Sequence, residues 1–421
     1  MATATPLTTP VTRYDATTST VAPLPPKRER LLSLDVFRGL TIAGMLLVND
    51  PGTWSAIFPP LEHAEWNGWT PTDLIFPFFL FIVGITTHLS LSARRARGDD
   101  DSALIKQILR RGSIIYLLGF LMALFPFYQW GTIDSIPNPS AWDRIVYRLD
   151  HVRILGVLAR IGIVYICAAL ITFRTTLKQQ VVIIATLLFG YWFAMTLIPV
   201  PGEGGTLGAS LLHTHDRNLA AYLDRLILTT KHTWSGSVTF DPEGPFSTIP
   251  AIATAMLGVL AGRWIARRDK PLPEKMTGMF AVGSIAMMVG LMWNWSFPIN
   301  KSLWTSSYVV FTAGMAIVSI ATIMWIVDVN NVKWWTKPFV IFGVNPIVAF
   351  VGSGVMARLI YTLWHVNYQG RSQSVQSVIY QAVFLPWLPP RVASLAFALV
   401  FVLFWFGILT VLYRRNIVLK V

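Results

Sequence analysis

The sequence predicts an all-α integral membrane protein, a single polytopic bundle of about ten transmembrane helices with both termini in the cytoplasm. Three observations carry that reading. Of the 421 residues 54% are hydrophobic and 13% are charged, a balance outside the range of ordinary soluble domains. Apolar runs long enough to cross roughly 30 Å of hydrocarbon recur from Leu34 to Leu412. Lys and Arg alternate along the chain: of 34, 22 fall on the N-terminal tail, on alternate loops and, at Arg263, on the span end beside one of them, 9 on the opposite loops and 3 deeper inside spans. A net charge of +13 therefore marks membrane orientation, with the basic side cytoplasmic, and is not read as a nucleic-acid surface.

Taken in order, residues 1–31 are rich in Thr, Ala and Pro with no apolar core, so they read as a disordered cytoplasmic tail and not a signal peptide. Residues 32–421 form the membrane domain. Its spans are expected at 34–49, 71–91, 113–127, 154–173, 181–200, 249–265, 276–295, 303–327, 338–359 and 392–412. The first and third are short and must extend through polar turns that face protein or water. The longest loops, at 50–70, 128–153, 201–248 and 361–391, all fall on the outer side. Long loops over a compact bundle are where a ligand would be bound. The lone cysteine, Cys167, lies inside an apolar run, which excludes an intramolecular disulfide and a Cys-based metal site.

Candidate chemistry concentrates in the first outer loop. A histidine side chain ordinarily titrates near neutrality, at about 6.5, so one at position 63 can take a proton from an attacking amine or carry an acyl group, and His63 is the key candidate. Glu62, Glu65 and Asp73 are the carboxylates placed to orient it. From the pattern alone, a solvated loop histidine is the simpler reading. Ionisable residues inside spans are costly and line cavities or pair with one another. Asp35 and Arg38 share a helical face and form an ion pair or offer Arg38 to a phosphate. Arg160 has no acid nearby in sequence and needs a partner or ligand from another helix. Asn345-Pro346 interrupts the ninth span and frees backbone carbonyls, for a ligand or for a neighbouring helix. The inner basic residues Arg94, Arg95, Arg97, Lys106, Arg110 and Arg111 suit phosphate binding and positive-inside topology equally. The other histidines, His213 and His215 included, lack ligand spacing, so no metal is expected. The glycines from Gly202 to Gly208 fail the dinucleotide-binding spacing and read as a loop.

Five strings carry a specific resemblance: Ser33-Leu-Asp35-Val-Phe-Arg38-Gly39; Trp66-Asn-Gly68 with Asp73-Leu-Ile-Phe-Pro77; Asp241-Pro-Glu-Gly244; Asn300-Lys-Ser-Leu-Trp304; and Leu412-Tyr-Arg-Arg-Asn-Ile417. In this order, from about Leu32 to the C-terminus, the chain resembles the heparan-alpha-glucosaminide N-acetyltransferase family. The resemblance implies transfer of an acetyl group from cytoplasmic acetyl-CoA, a co-substrate, to the amine of a glucosamine unit across the membrane. It places the active-site histidine at His63 and the active-site asparagine at Asn49; Asp73 joins them as a catalytic candidate from the residue pattern. Arg38, Asp35, Arg160 and Asn345 are the positions assigned to the donor. It also implies a homodimer. The lysosomal members carry an extra luminal domain and span where this chain has a short tail, which leads to the expectation of a multi-pass protein of a bacterial inner membrane. Direct transfer with His63 as base and a two-step route through an acetylated His63 both remain open. A proton-coupled amino-sugar or oligosaccharide permease using Asp35, Arg38, Asp73 and Arg160 is the alternative.

Overall fold

The computed structural model describes residues 31–419, so the expected disordered tail lies almost wholly outside the described residues. The helices are α1 (Leu32–Asn49), α2 (Ile75–Arg95), α3 (Asp101–Leu124), α4 (Ala141–Asp150), α5 (Val157–Arg174), α6 (Leu177–Leu197), α7 (Gly208–Leu211), α8 (Leu219–Leu228), α9 (Pro245–Ile265), α10 (Leu272–Trp293), α11 (Ser306–Met324), α12 (Thr336–Val344), α13 (Pro346–Arg358), α14 (Val375–Ile379) and α15 (Pro390–Arg414). One antiparallel hairpin, β1 (His365–Tyr368) and β2 (Arg371–Ser374), pairs His365 with Ser374. Among the described residues ten helical stretches are long and apolar enough to cross a membrane, the number the sequence predicts.

Two boundaries differ from expectation, each for a local reason. The third spanning helix starts at Asp101, not near 113, because the Asp100 carboxylate caps it by accepting from the amides of Ser102 and Ala103. Its first turns carry exposed Lys106, Arg110 and Arg111, which can project beyond the hydrocarbon. The ninth span is interrupted at Asn345 as its sequence predicts, since Pro346 has no N–H to continue the ladder and its ring collides with the preceding turn, but the stretch long enough to cross is Pro346–Leu363 and not 338–359.

Helices on the periphery turn apolar stripes outward. On α10, Val282, Ile285, Val289 and Met292 are all exposed at helical spacing, and α15 exposes Leu399, Val400, Leu403 and Phe404. These faces suit lipid. Inside, small residues replace hydrophobic bulk as the packing device. The α2–α9 pair is so close that a Cβ at Gly84 would strike the Ala255 carbonyl, and one at Gly258 the Phe81 carbonyl. Gly283 and Gly314 bring α10 and α11 together in the same way. Because α2 carries the first outer loop into the bundle, Gly258→Leu is expected to prop α2 away from α9 and abolish the monodisperse peak in detergent size exclusion. A variant that purifies like the parent would count against this close packing.

Candidate active site

A cavity of about 790 Å³ opens among the loops that are poor in Lys and Arg and runs down into the bundle, a size suited to a small-molecule site. Ile42, Met45 and Asn49 of α1 line one side, spaced along a single helix face. Ile75, Phe76 and Phe79 of α2, Ile161 of α5 and Phe350 of α13 make its lower wall apolar, while His63, Asp73, Glu243 and Lys301 make its upper wall charged.

The upper wall is assembled by interlocking loops. Gly68 donates its N–H to the Ile299 carbonyl (2.7 Å), and Asn300 Nδ2 donates to Asn67 Oδ1 (3.2 Å). Trp66 Nε1 donates to the Leu212 carbonyl (2.9 Å), while its ring stacks on His215 at 4.2 Å. These contacts fix the segment after α1 against both the segment before α11 and the segment between α7 and α8.

Within this frame Asp73 sits at the first turn leading into α2, its side chain 1% exposed. One carboxylate oxygen, Oδ2, accepts from the amides of Ala64 and Thr70, each at 3.0 Å. The other, Oδ1, lies 2.7 Å from His63 Nδ1. Of the carboxylates singled out in the sequence, Asp73 is therefore the one that orients His63, whose Nδ1 donates and whose Nε2 keeps its lone pair. Glu65 lines the cavity without contacting the imidazole, and the Glu62 carbonyl accepts from the Thr70 hydroxyl (2.6 Å). Asn49, the last residue of α1, lies on the cavity wall.

Lys301, Arg153 and Glu243 belong to the cavity too, and reasoning from sequence did not single them out. Lys301 Nζ lies 2.9 Å and 3.2 Å from Nδ1 and Nε2 of His63 and 3.5 Å from Asp73 Oδ1. Burial pushes this ammonium below its ordinary value, against the opposing pull of Asp73 and Glu243. Arg153 grips Asp241 with two donors, at 2.8 Å and 2.5 Å, and also holds Glu243. Burial alone would raise Glu243, but Arg153, Arg160 and Lys301 more than reverse that and hold it below the usual carboxylate range. The one available signal was the pair of strings at 241–244 and 300–304, since no local spacing links them to His63.

Four predicted donor-site positions do not reach the cavity wall. Arg160 is fully buried behind it, where its Nη2 donates to Ser247 Oγ and to the Gly244 carbonyl (3.3 Å) and its guanidinium faces the Trp304 ring at 5.1 Å. Its partners come from the start of α9, so it braces the 241–244 turn. Asn345 spends its amide on the C-terminal segment, donating to the Ile417 carbonyl (2.9 Å) and accepting from the Leu419 amide (3.0 Å). Asp35 and Arg38 pair at 2.8 Å, and Arg38 Nε donates to the Gly343 carbonyl (2.7 Å). Arg38 nonetheless shares the α1 face that carries Ile42, Met45 and Asn49, one turn or about 6 Å along the axis from Ile42. Among the described residues no cluster of three or more His, Cys, Asp or Glu is arranged to hold a metal.

Asp224 sits beneath the same turn, and its Oδ2 accepts from the Asp241 amide (3.0 Å). Burial pushes its pKa up to about 7 from 3.8. The folded protein thus holds this proton more tightly than the unfolded chain. The resulting stabilisation is complete below about pH 4 and is lost as pH rises toward 7, by up to about 1.4 kcal/mol per pH unit. Asp224→Asn keeps an acceptor oxygen but cannot ionise. The parent's melting temperature is therefore expected to fall more steeply between pH 5 and 8 than the variant's, and parallel curves would refute the assignment.

The fold and cavity define a multi-pass membrane protein in which a buried aspartate holds an exposed histidine at the head of an apolar channel. Heparan-alpha-glucosaminide N-acetyltransferase from Homo sapiens is similar to it, 29% identical over 407 residues that cover 86% of this chain and 58% of that protein. The Mus musculus protein of the same name is 29% identical over 402 residues, 85% of this chain and 58% of that protein. The family resemblance read from the motifs is borne out by these matches, although the chain spans less than two thirds of the length of these curated relatives. An uncharacterised 39.9 kDa protein of Bacillus acidopullulyticus matches over a shorter stretch, 28% identical over 102 residues. No protein-family profile matches the chain.

Proposed function

We propose that the protein is a transmembrane N-acetyltransferase that moves an acetyl group from acetyl-CoA, taken from the basic-rich cytoplasmic side, to the amine of a glucosamine-type sugar on the periplasmic side of a bacterial inner membrane. The observation that carries this reading is the His63–Asp73 pair at the junction of a polar mouth and an apolar channel. The residues present fit such a donor. The apolar lower wall suits an extended thioester arm, and Arg38 lies one turn beyond Ile42, on the same face of α1, where a phosphate would approach.

Only a neutral amine attacks a thioester, so a proton must be removed as the N–C bond forms. His63 Nε2 takes it, while Asp73 holds the ring and favours the imidazolium that results. Asn49 donates to the developing oxyanion, a contribution of about 3 kcal/mol in comparable sites. The low-dielectric channel below strengthens each of these interactions. A homodimer belongs to the same reading.

The test is acetyl transfer by purified protein from labelled acetyl-CoA to glucosamine, run alongside thermal stabilisation by acetyl-CoA alone. Product together with stabilisation supports the reading. Neither product with any amino sugar nor stabilisation by acetyl-CoA would turn the assignment to the permease.

A further inference from the structure

We propose that Lys301 is the proton donor of this site, giving a proton to the departing sulfur of the thioester while His63 removes one from the attacking amine. The inference rests on the acyl-transfer reading above.

Its foundation is the crowding of two bases around one carboxylate. While Nδ1 of His63 holds its proton toward Asp73, the Lys301 ammonium can donate to Nε2 (3.2 Å) or to Asp73 Oδ1 (3.5 Å), but not to Nδ1. Asp73 does not need Lys301 as a hydrogen-bond partner, because its two oxygens already accept from two amides and the imidazole. Two full positive charges about 3 Å apart repel, so the pair favours one shared proton beyond neutral imidazole: charged lysine with neutral histidine, or the reverse.

Acetyl transfer exchanges those two states. At the start Lys301 is charged and His63 neutral. As the amine nitrogen bonds to the acyl carbon, His63 Nε2 takes the amine proton. As the C–S bond breaks and its electron pair moves to sulfur, Lys301 gives sulfur a proton. Lys301 is then neutral and His63 charged, and a proton passing from Nε2 to Nζ restores the start. The sum is thioester plus amine giving amide plus thiol, with no net proton gained or lost. Burial, which makes the ammonium a stronger acid than free lysine, favours the donation. The lysine is also held in place. Asn300 beside it is fully buried, donates to Asn67 and accepts from the Leu303 amide (2.8 Å), and the Asn300 amide donates to Thr305 Oγ1 (3.1 Å).

The experiment compares the parent with Lys301→Met and Lys301→Arg on two donors, acetyl-CoA and an aryl thioester whose thiol is acidic enough to leave without a proton. Both variants are expected to lose at least 100-fold in kcat/KM with acetyl-CoA and less than 10-fold with the aryl thioester. Reaction of Lys301 in the parent with an amine reagent, followed against pH by mass spectrometry, should reach its half-point below the ordinary lysine value of 10.5. Equal losses on both donors, full rescue by Lys301→Arg, or an ordinary titration of Lys301 would each overturn the proposal. A parent inactive with both donors would instead overturn the acyl-transfer reading and the inference with it.

Discussion

His63→Ala is expected to cut acetyl transfer by about 10²- to 10⁴-fold while leaving acetyl-CoA binding intact. The asymmetry follows from position. His63 sits at the polar mouth, its side chain 44% exposed, whereas the donor's arm is assigned to the apolar wall below, formed by α1, α2, α5 and α13. Removing an exposed imidazole creates no core cavity, and the loop stays pinned through Trp66, Asn67 and Gly68. The acetyl-CoA-induced rise in melting temperature should therefore match the parent's within error while product formation vanishes. A variant keeping more than a tenth of the parental rate would remove His63 from the chemistry. Incubation of the parent with labelled acetyl-CoA and no acceptor separates the two routes, since label retained on His63 marks the two-step path.

Asp73→Asn is expected to lose about 10³- to 10⁴-fold with little change in stability, through the tautomer and not the geometry. An asparagine at 73 can keep an oxygen where Oδ2 accepts from Ala64 and Thr70. Its amide nitrogen then faces His63 Nδ1 and donates to it. The imidazole proton is forced onto Nε2, the atom that must be free to accept. Loss of rate with an unchanged melting temperature and unchanged acetyl-CoA binding would establish the tautomer role. A fall in melting temperature equal to that of Asp73→Ala would instead mark Asp73 as a capping residue that supports the turn.

The membrane architecture was legible because lipid acts on composition directly. Each span must satisfy its own backbone hydrogen bonds within apolar sequence, and every loop carries its share of the charge asymmetry. The start of the third helix was less legible, because a cap at Asp100 overrides hydropathy, whereas the break in the ninth is written in Asn345-Pro346. At the site, His63 and Asp73 were readable together since ten residues separate them within one loop. Lys301 was not, lying 238 residues from the histidine it touches, in a string that no local spacing ties to the first outer loop. Arg160 has no acid nearby in sequence, and its partners at Gly244 and Ser247 stand more than 80 residues away. Asn345 looked like an opening in a span and proved to clamp the C-terminal segment.

Ten crossings, the sidedness of the charge and the loop that bears the histidine can be read from the amino acids alone, because each depends on residue type within a single segment. Which carboxylate holds His63, which cation stands over it and where Arg160 is anchored emerge only in the folded chain. Those choices are made by side chains from distant segments meeting within about 3 Å, where the strength of a charge depends on partners and burial that no local pattern encodes.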